Sequence, residues 1–342
     1  MDKYDVIIVG GGPAGSSCAW KLMQHGVNVM LLDAQPFPRL KLCAGWITPE
    51  VVTDLRIDTK SYPHSFLTFD SLQIHLRGIH FGLRSVQHSI RRYEFDDWLL
   101  RRSGVPVVTH NVRNIHPDGD GYIVDDNWRC RYLVGAGGTK CPVYRDVFRE
   151  ANPRARQLQT VTLEEEFPYS DTRTDCHLWF FEKGFPGYSW YVPKANGWLN
   201  VGIGGMASQL KLRQEDIKSH WQVLVDRLRR DGLVRDHEFA PKGYSYYLRD
   251  DVQTVRIDNA FLTGDAAGLA TRDLCEGIGP AVKSGLMAAE AIVHKHDYSL
   301  DAIARYTNDR RLVYRPLEYF FIEREQKRLA RAAKIAAPLP HG

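Results

Sequence analysis

The chain has 342 residues, enough for about two domains, with 44% hydrophobic and 25% charged residues and a net charge of only +4. That charge balance excludes a general nucleic-acid binder, and no run reaches the ~18 apolar residues needed to span a bilayer. The six cysteines form no C-x-x-C pair and no histidine cluster has ligand spacing, so neither a disulfide framework nor a metal site is expected. The opening residues lack a signal-peptide layout, which predicts a cytoplasmic setting.

The first segment, YDVIIVGGGPAGSSCAWKLMQHGVNVMLLDA, predicts strand, turn, helix and strand. Residues 6–9 are a continuous apolar run suited to a parallel strand buried on both faces. Gly10, Gly12 and Gly15, with Pro13 and Ala14 between them, complete G-x-G-x-x-G. The first glycine permits the tight turn, the second lets a pyrophosphate approach the backbone, and the third lets the helix pack on the strand. A second strand over 27–32 ends in Asp33, an acceptor for a ribose hydroxyl. The motif predicts dinucleotide binding and does not by itself separate NAD from FAD.

Shortly after, RLKLCAGW places Lys41, Cys43 and Ala44 in a small-residue turn. Residues 60–95 and 157–255 interrupt the nucleotide-binding pattern with aromatic and β-branched alternation, which predicts an antiparallel sheet. A helix is predicted over 212–230, with Ile217, Trp221, Leu224, Val225 and Leu228 on one face. Trp190 reads equally as core or as pocket wall. The Glu164-Glu165-Glu166 run reads as a mixed solvated strand face, and His64, His75, His80 and His88 have no evident partners.

Near the other end, residues 260–263 predict a short buried strand followed by Gly264-Asp265-Ala266-Ala267-Gly268 and a helix from about Pro280. An Asp there suits a ribityl hydroxyl. Glycines before the helix let backbone amides approach a flavin ring, with the helix dipole favouring its reduced anion. Beyond residue 301, Arg324, Lys327, Arg328, Arg331 and Lys334 form a basic helical stripe, read either as a solvated helix or as a contact for anionic lipid headgroups.

Together these features resemble the geranylgeranyl reductase family of FAD-dependent oxidoreductases, which is related to the flavoprotein monooxygenases. The resemblance runs through the two glycine motifs and KLCAG (Lys41, Cys43, Gly45). It continues through Arg92, Phe95 and Asp96, through GYSWYVPK (Gly187, Tyr188, Trp190, Pro193, Lys194), and ends at CEGI, residues 275–278. It departs from the family pattern at AGGTKCPVYR, where Gly137 and Cys141 replace an Asp and a Ser and Arg145 lies one residue late. It departs again at Ala44 and Cys275, both in place of glycine.

The resemblance implies an α/β chain: a Rossmann-like FAD-binding domain with an inserted antiparallel-sheet substrate domain. The FAD-binding domain is expected over 1–60, 96–156 and 256–300, the substrate domain over 61–95 and 157–255, and a helical tail over 301–342. It implies FAD contacts from Gly10, Gly12, Pro13, Ala14, Gly15, Asp33, Lys41, Cys43, Ala44, Arg92, Gly264, Asp265, Gly277 and Ile278. A substrate pocket is implied at Tyr188, Trp190, Pro193 and Cys275, and no metal. Cys43 has two readings, a proton donor to the reaction or a small residue shaping the pocket.

The expected activity is hydride transfer from reduced FAD to a carbon–carbon double bond of an apolar isoprenoid or lipid. NAD(P)H, another small donor or a protein donor would supply the electrons. Two alternatives stand beside it: a flavin monooxygenase or halogenase, and an electron-transfer flavoprotein without organic substrate. The expected location is cytoplasmic, with peripheral membrane contact through the basic tail left open.

Overall fold

A computed structural model describes residues 1–170, 174–252 and 254–307. The apolar run at 6–9 forms the buried end of β1 (Asp2–Val9). A strand buried on both faces needs cover from both sides, which parallel neighbours with crossover helices provide. Accordingly α1 (Pro13–Met23) crosses over to β2 (Val29–Asp33), which pairs parallel with β1 from Val6↔Val29 to Val9↔Leu32.

The chain continues through β3 (Trp46–Ile47), α2 (Pro49–Asp54), the hairpin of β4 (Leu67–Leu76) and β5 (Ile79–Ser89), and α3 (Arg92–Ser103). It then returns to the first sheet with β6 (Val107–Thr109), the hairpin of β7 (Ile115–Asp118) and β8 (Gly121–Val124), and β9 (Trp128–Gly135). The second sheet takes β10 (Gln159–Pro168), β11 (Cys176–Phe180), β12 (Gly187–Lys194) and β13 (Trp198–Met206). After these come α4 (Ala207–Arg213), α5 (Ile217–Arg230), β14 (Lys242–Tyr247), β15 (Arg256–Ile257), β16 (Ala260–Leu262) and α6 (Ile278–His294).

The first sheet has the order β15-β16-β9-β1-β2-β6, with β16, β9, β1, β2 and β6 parallel. The second has the order β14-β10-β13-β12-β11-β4-β5-β3. Its pairs are antiparallel except where β11 meets β4, from Cys176↔Leu72 to Phe180↔Leu76. Those strands are remote in sequence, so no hairpin dictates their direction.

The helix expected over 212–230 is two helices. Gln214 turns left-handed at φ 55°, and Asp216 then caps a new helix by accepting from the Lys218 amide at 3.0 Å. The anticipated stripe survives: Trp221, Leu224, Val225 and Leu228 are buried against Tyr191, Val201 and Ile203 on one face of the second sheet. The opposite face carries Tyr188, Trp190, Val192 and Met206, which pack with Trp46 of β3 and with Leu274 and Cys275 from the loop before α6. Period-two alternation along β12 thus splits its side chains between a helix-backed face and a face turned toward the first sheet. Among the described residues no helix is long and apolar enough to cross a membrane. The basic stripe at 324–334 lies outside the described residues.

Candidate active site

A cavity of about 470 Å³ lies between the two sheets. Its first wall is the turn after β1. Gly10 has φ 113°, where a side chain would overlap the backbone of Ala136. Gly12 faces open space, with Arg39 Nη2 the nearest atom at 3.7 Å to a methyl placed there. A methyl on Gly15 would overlap the Gly10 carbonyl oxygen, so Gly15 serves helix–strand packing and does not line the cavity. Asp33, expected as a ribose acceptor, also braces the turn. Its Oδ2 accepts from the Gly11 amide at 2.7 Å and its Oδ1 from the Gln35 amide at 3.0 Å, while the residue still lines the cavity.

The second wall is the approach to α6. A side chain on Gly285 would overlap the Ala14 carbonyl, so α6 and α1 pack closely enough for both N-termini to open on one space. Thr271 Oγ1 accepts from the Glu276 amide at 2.9 Å, and Glu276 Oε1 accepts from the Gly279 amide at 2.6 Å, which closes the loop onto the helix. Burial pushes the Glu276 carboxyl up to about 7. Gly12, Pro13 and Ala14 at one helix start and Gly277 and Ile278 at the other line the cavity, as do Gly264 and Asp265. The first turn of α1 carries no acidic side chain and no side-chain cap, so its partial positive charge is directed at a ligand, whereas Glu276 already caps the start of α6.

The third wall is the Cys43 turn. Buried Lys194, at the end of β12, donates to the carbonyls of Ala44, Gly45 (2.8 Å) and Ile90 (2.8 Å). Asn200 Nδ2 donates to the Cys43 carbonyl at 3.3 Å, while Asn200 Oδ1 accepts from Trp190 Nε1 at 2.7 Å. The Gly45 amide donates to Cys43 Sγ at 3.4 Å. Arg92 binds Asp96 bidentately at 2.6 and 2.7 Å. Burial alone would weaken the Arg92 guanidinium's hold on its proton, but Asp96 and the adjacent Cys43 thiol raise it above its ordinary value. Lys41 lies 3.3 Å over the Tyr244 ring centroid. The far end is apolar and aromatic: Trp46, Tyr188, Trp190, Tyr246 and Leu274 line it with Ala44 and Cys275. Cys275 takes φ 57°, the conformation that a glycine would adopt freely. Burial pushes its thiol up to about 12.

The structure therefore gathers every anticipated site residue around one cavity except Gly15 and Pro193. Pro193 is absent from the lining because alternation along β12 turns it off the cavity; its carbonyl accepts from the Ser89 hydroxyl at 2.7 Å. The glutamate run is not a solvated face. Glu164 is buried and lines the cavity, Glu165 accepts from the Ala240 amide at 2.6 Å, and Glu166 pairs with Arg91 at 2.9 Å. The clue was in the alternation of TVTLE: Val161 and Leu163 take the helix-backed face, which leaves Thr162 and Glu164 for the cavity. The histidines also have partners: His75 with His177 at 3.0 Å, His80 with Gln73 and His88 with Thr68 at 3.0 Å each, and His64 with Glu94 at 3.8 Å. At the surface, His25, Glu290 and His294 bring ligand-type atoms within 4.8 Å of one another, which sequence spacing did not reveal. Glu290 there is already held by Lys21 at 2.7 Å and His294 at 3.0 Å.

Comparison with known proteins agrees with this architecture. The DAO family model, FAD dependent oxidoreductase, matches residues 5–95. An uncharacterized protein of Methanosarcina barkeri is 32% identical over 310 residues, covering 85% of this chain and 75% of the relative. A menaquinone reductase of Mycolicibacterium smegmatis is 28% identical over 328 residues, covering 84% and 76%. The fold superposes on a geranylgeranyl bacteriochlorophyll reductase-like protein from Thermoplasma acidophilum with a TM-score of 0.75 at 20% identity, covering 96% of this chain and 86% of that one. The cavity fits FAD on its own features. The glycine turn leaves backbone exposed where a side chain at Gly12 would intrude, and the N-terminus of α1, which has no side-chain cap, opens on the same space as the start of α6. The chain is an enzyme of the FAD-dependent oxidoreductase family.

Proposed function

We propose that this oxidoreductase saturates a carbon–carbon double bond of an apolar isoprenoid substrate. The observation that carries the reading is the far end of the cavity, where Trp46, Tyr188, Trp190, Tyr246 and Leu274 form a largely aromatic wall beyond the glycine turns. Such a surface suits an extended hydrocarbon and offers little to a charged metabolite. The names of its relatives, a menaquinone reductase and a geranylgeranyl bacteriochlorophyll reductase-like protein, point the same way.

In this reading Gly10, Gly12, Pro13 and Ala14 receive the pyrophosphate, and Asp33 receives a ribose hydroxyl. Asp265 takes the ribityl chain. Gly264, Gly277, Ile278, Lys41, Cys43, Ala44 and Arg92, which line the cavity, would hold the flavin. Bound and reduced, FAD supplies a hydride and its two electrons. Tyr188, Trp190 and Cys275 then orient the alkene and exclude water, and Lys194 and Asn200 hold the Cys43 turn rigid.

The test is anaerobic. The FAD-loaded protein is reduced with dithionite and challenged with geranylgeranyl diphosphate, with a geranylgeranyl lipid and with menaquinone. Reoxidation by one of them, with a saturated bond found in the product by mass spectrometry, supports the reading. Reoxidation by oxygen alone, with an oxygenated or halogenated product, overturns it in favour of oxygen chemistry. Reoxidation only by a protein acceptor overturns it in favour of electron transfer. Reducing the protein with NADPH, NADH or a reduced ferredoxin in place of dithionite identifies the donor class.

A further inference from the structure

One carboxyl group in the cavity has no structural task. Glu164 on β10 is 2% exposed and lines the cavity, yet its Oε1 has no hydrogen-bond partner among the described residues. The cations around it are committed elsewhere. Lys194 serves three carbonyls, Lys41 lies on the Tyr244 ring, and Arg92 is bound to Asp96. Glu166 adds a like charge from the same strand, and Lys242 stands opposite Glu164 on β14 as an exposed residue. Among the described residues none of these forms an ion pair with Glu164. An ionised carboxylate left unpaired in such a site is strongly disfavoured, so the neutral acid is the stable form. Burial is the largest influence and pushes this carboxyl up to about 8, against the opposing pull of Lys41 and Lys194.

Its location is equally specific. Glu164 pairs with Gly202 on β13, and Gly202 pairs with Trp190 on β12, so the three form one rung across the sheet. Any side chain on Gly202 would overlap the Trp190 ring, and its methyl would come within 2.7 Å of Glu164 Cβ. The missing side chain lets the acid and the indole wall stand next to each other.

We propose that Glu164 is the general acid of this site, donating its carboxyl proton to the alkene carbon that does not receive hydride. This rests on the reductase reading above. As the π bond breaks, one carbon gains a C–H bond from the hydride, which brings both electrons. The other gains a C–H bond from the Glu164 proton. Glu164 is left as a carboxylate and regains a proton from solvent before the next cycle. Unactivated alkenes accept hydride poorly, which is why a positioned acid matters here.

The test uses the full-length, FAD-loaded protein with Glu164→Gln, which keeps size and polarity but carries no acidic proton, and Glu164→Asp, which keeps the acid. Infrared spectroscopy of the oxidised protein reads protonation directly. A protonated-carboxyl band absent from Glu164→Gln and lost on raising the pH through about 8 is expected. In single-turnover reoxidation by the isoprenoid, Glu164→Gln is expected to be about 10²-fold slower or worse. The wild-type rate should fall about tenfold per pH unit above its break, and Glu164→Asp should recover part of the rate with the same falling limb. FAD content and the extent of dithionite reduction should be equal in all three. Wild-type turnover matched by Glu164→Gln overturns the assignment while leaving the reductase reading intact, and so does an ionised Glu164 at pH 7. If Glu164→Gln does not retain FAD, the wild-type infrared titration and the Glu164→Asp pH profile decide. If no alkene reoxidises the wild-type protein, the reductase reading falls and takes this step with it.

Discussion

Lys194 and Gly45 fit each other closely: the buried ammonium donates to the Gly45 carbonyl at 2.8 Å, and a methyl on Gly45 would lie 2.7 Å from that nitrogen. Gly45 is also left-handed at φ 65°, with the Ile90 carbonyl oxygen 2.5 Å from the same methyl position. One ammonium thereby joins the second sheet to the turn that presents Cys43. Burial lowers the Lys194 ammonium to about 8, with Glu166 opposing that effect, so the cross-link is held at an electrostatic cost.

Replacing Lys194 with Met removes three donors and leaves buried carbonyls unpaired. Each such group costs about 1–3 kcal/mol, so Lys194→Met is expected to lose at least ~2 kcal/mol in urea unfolding. Its FAD content should drop as the Cys43 turn loosens. An unchanged midpoint and full flavin occupancy would show that the ammonium is dispensable.

The glycines of the first turn should separate by role. Gly12 has room for a methyl on the cavity side, whereas a methyl on Gly15 overlaps the Gly10 carbonyl. Gly12→Ala should therefore fold, with the apoprotein melting within about 2 °C of wild type, since a surface-like change is worth about ±0.5 kcal/mol. It should bind FAD at least ~10-fold more weakly, a loss of ~1.4 kcal/mol. Gly15→Ala should fail as a folded protein. Equal behaviour of the two in apoprotein melting would refute the distinction.

Cys275 occupies a left-handed position where its relatives are expected to carry glycine. Cys275→Gly relieves about 1 kcal/mol of backbone strain while losing contacts with Tyr188 and Tyr246, so its melting temperature should stay close to wild type. Cys275→Val, β-branched at the same φ, should lose ~1–3 kcal/mol. Thermal melts of the pair check this, and a more stable Val variant would contradict the assigned conformation.

Stability should fall with rising pH from about 6.5 upward; below 6.5 His75, which burial lowers to about 4, contributes in the opposite direction. The folded-state carboxyls of Glu164 and Glu276 are raised to about 8 and about 7, above the ordinary Glu value of 4.5. Between 4.5 and those values the folded protein keeps protons that the unfolded chain has released, so their contribution to stability decreases as pH climbs through that window. Glu164→Gln should flatten the upper part of the curve, removing a slope of at most about 1.4 kcal/mol per pH unit. Parallel curves for wild type and variant from pH 5 to 8 would mean that Glu164 is ionised in the folded state.

Local pattern was sufficient for the glycine turns around the first sheet. The glycine turn, the acid at the end of β2 and the second glycine loop each depend on constraints that act within a few residues: a φ only glycine tolerates, or amides that a nearby carboxylate must hold. The apolar stripe of α5 was legible for the same reason, because its period is set by the helix itself. The glutamate run shows where that kind of reading stops. Strand alternation separates Glu164 from Glu165, but only the packing of α5 against one face and the nucleotide-binding loops against the other decides which glutamate is buried. Pro193 was misplaced by the same one-residue phase along β12, and the break at Gln214 was hidden because apolar spacing continues across it. The partners of Lys194, the parallel junction of β11 with β4 and the Glu164–Gly202–Trp190 rung join residues far apart in the chain. Sequence by itself determined the two glycine turns, whose steric demands are local. Only the tertiary structure decided which polar side chains face the cavity, because burial depends on what packs against the other side of the sheet.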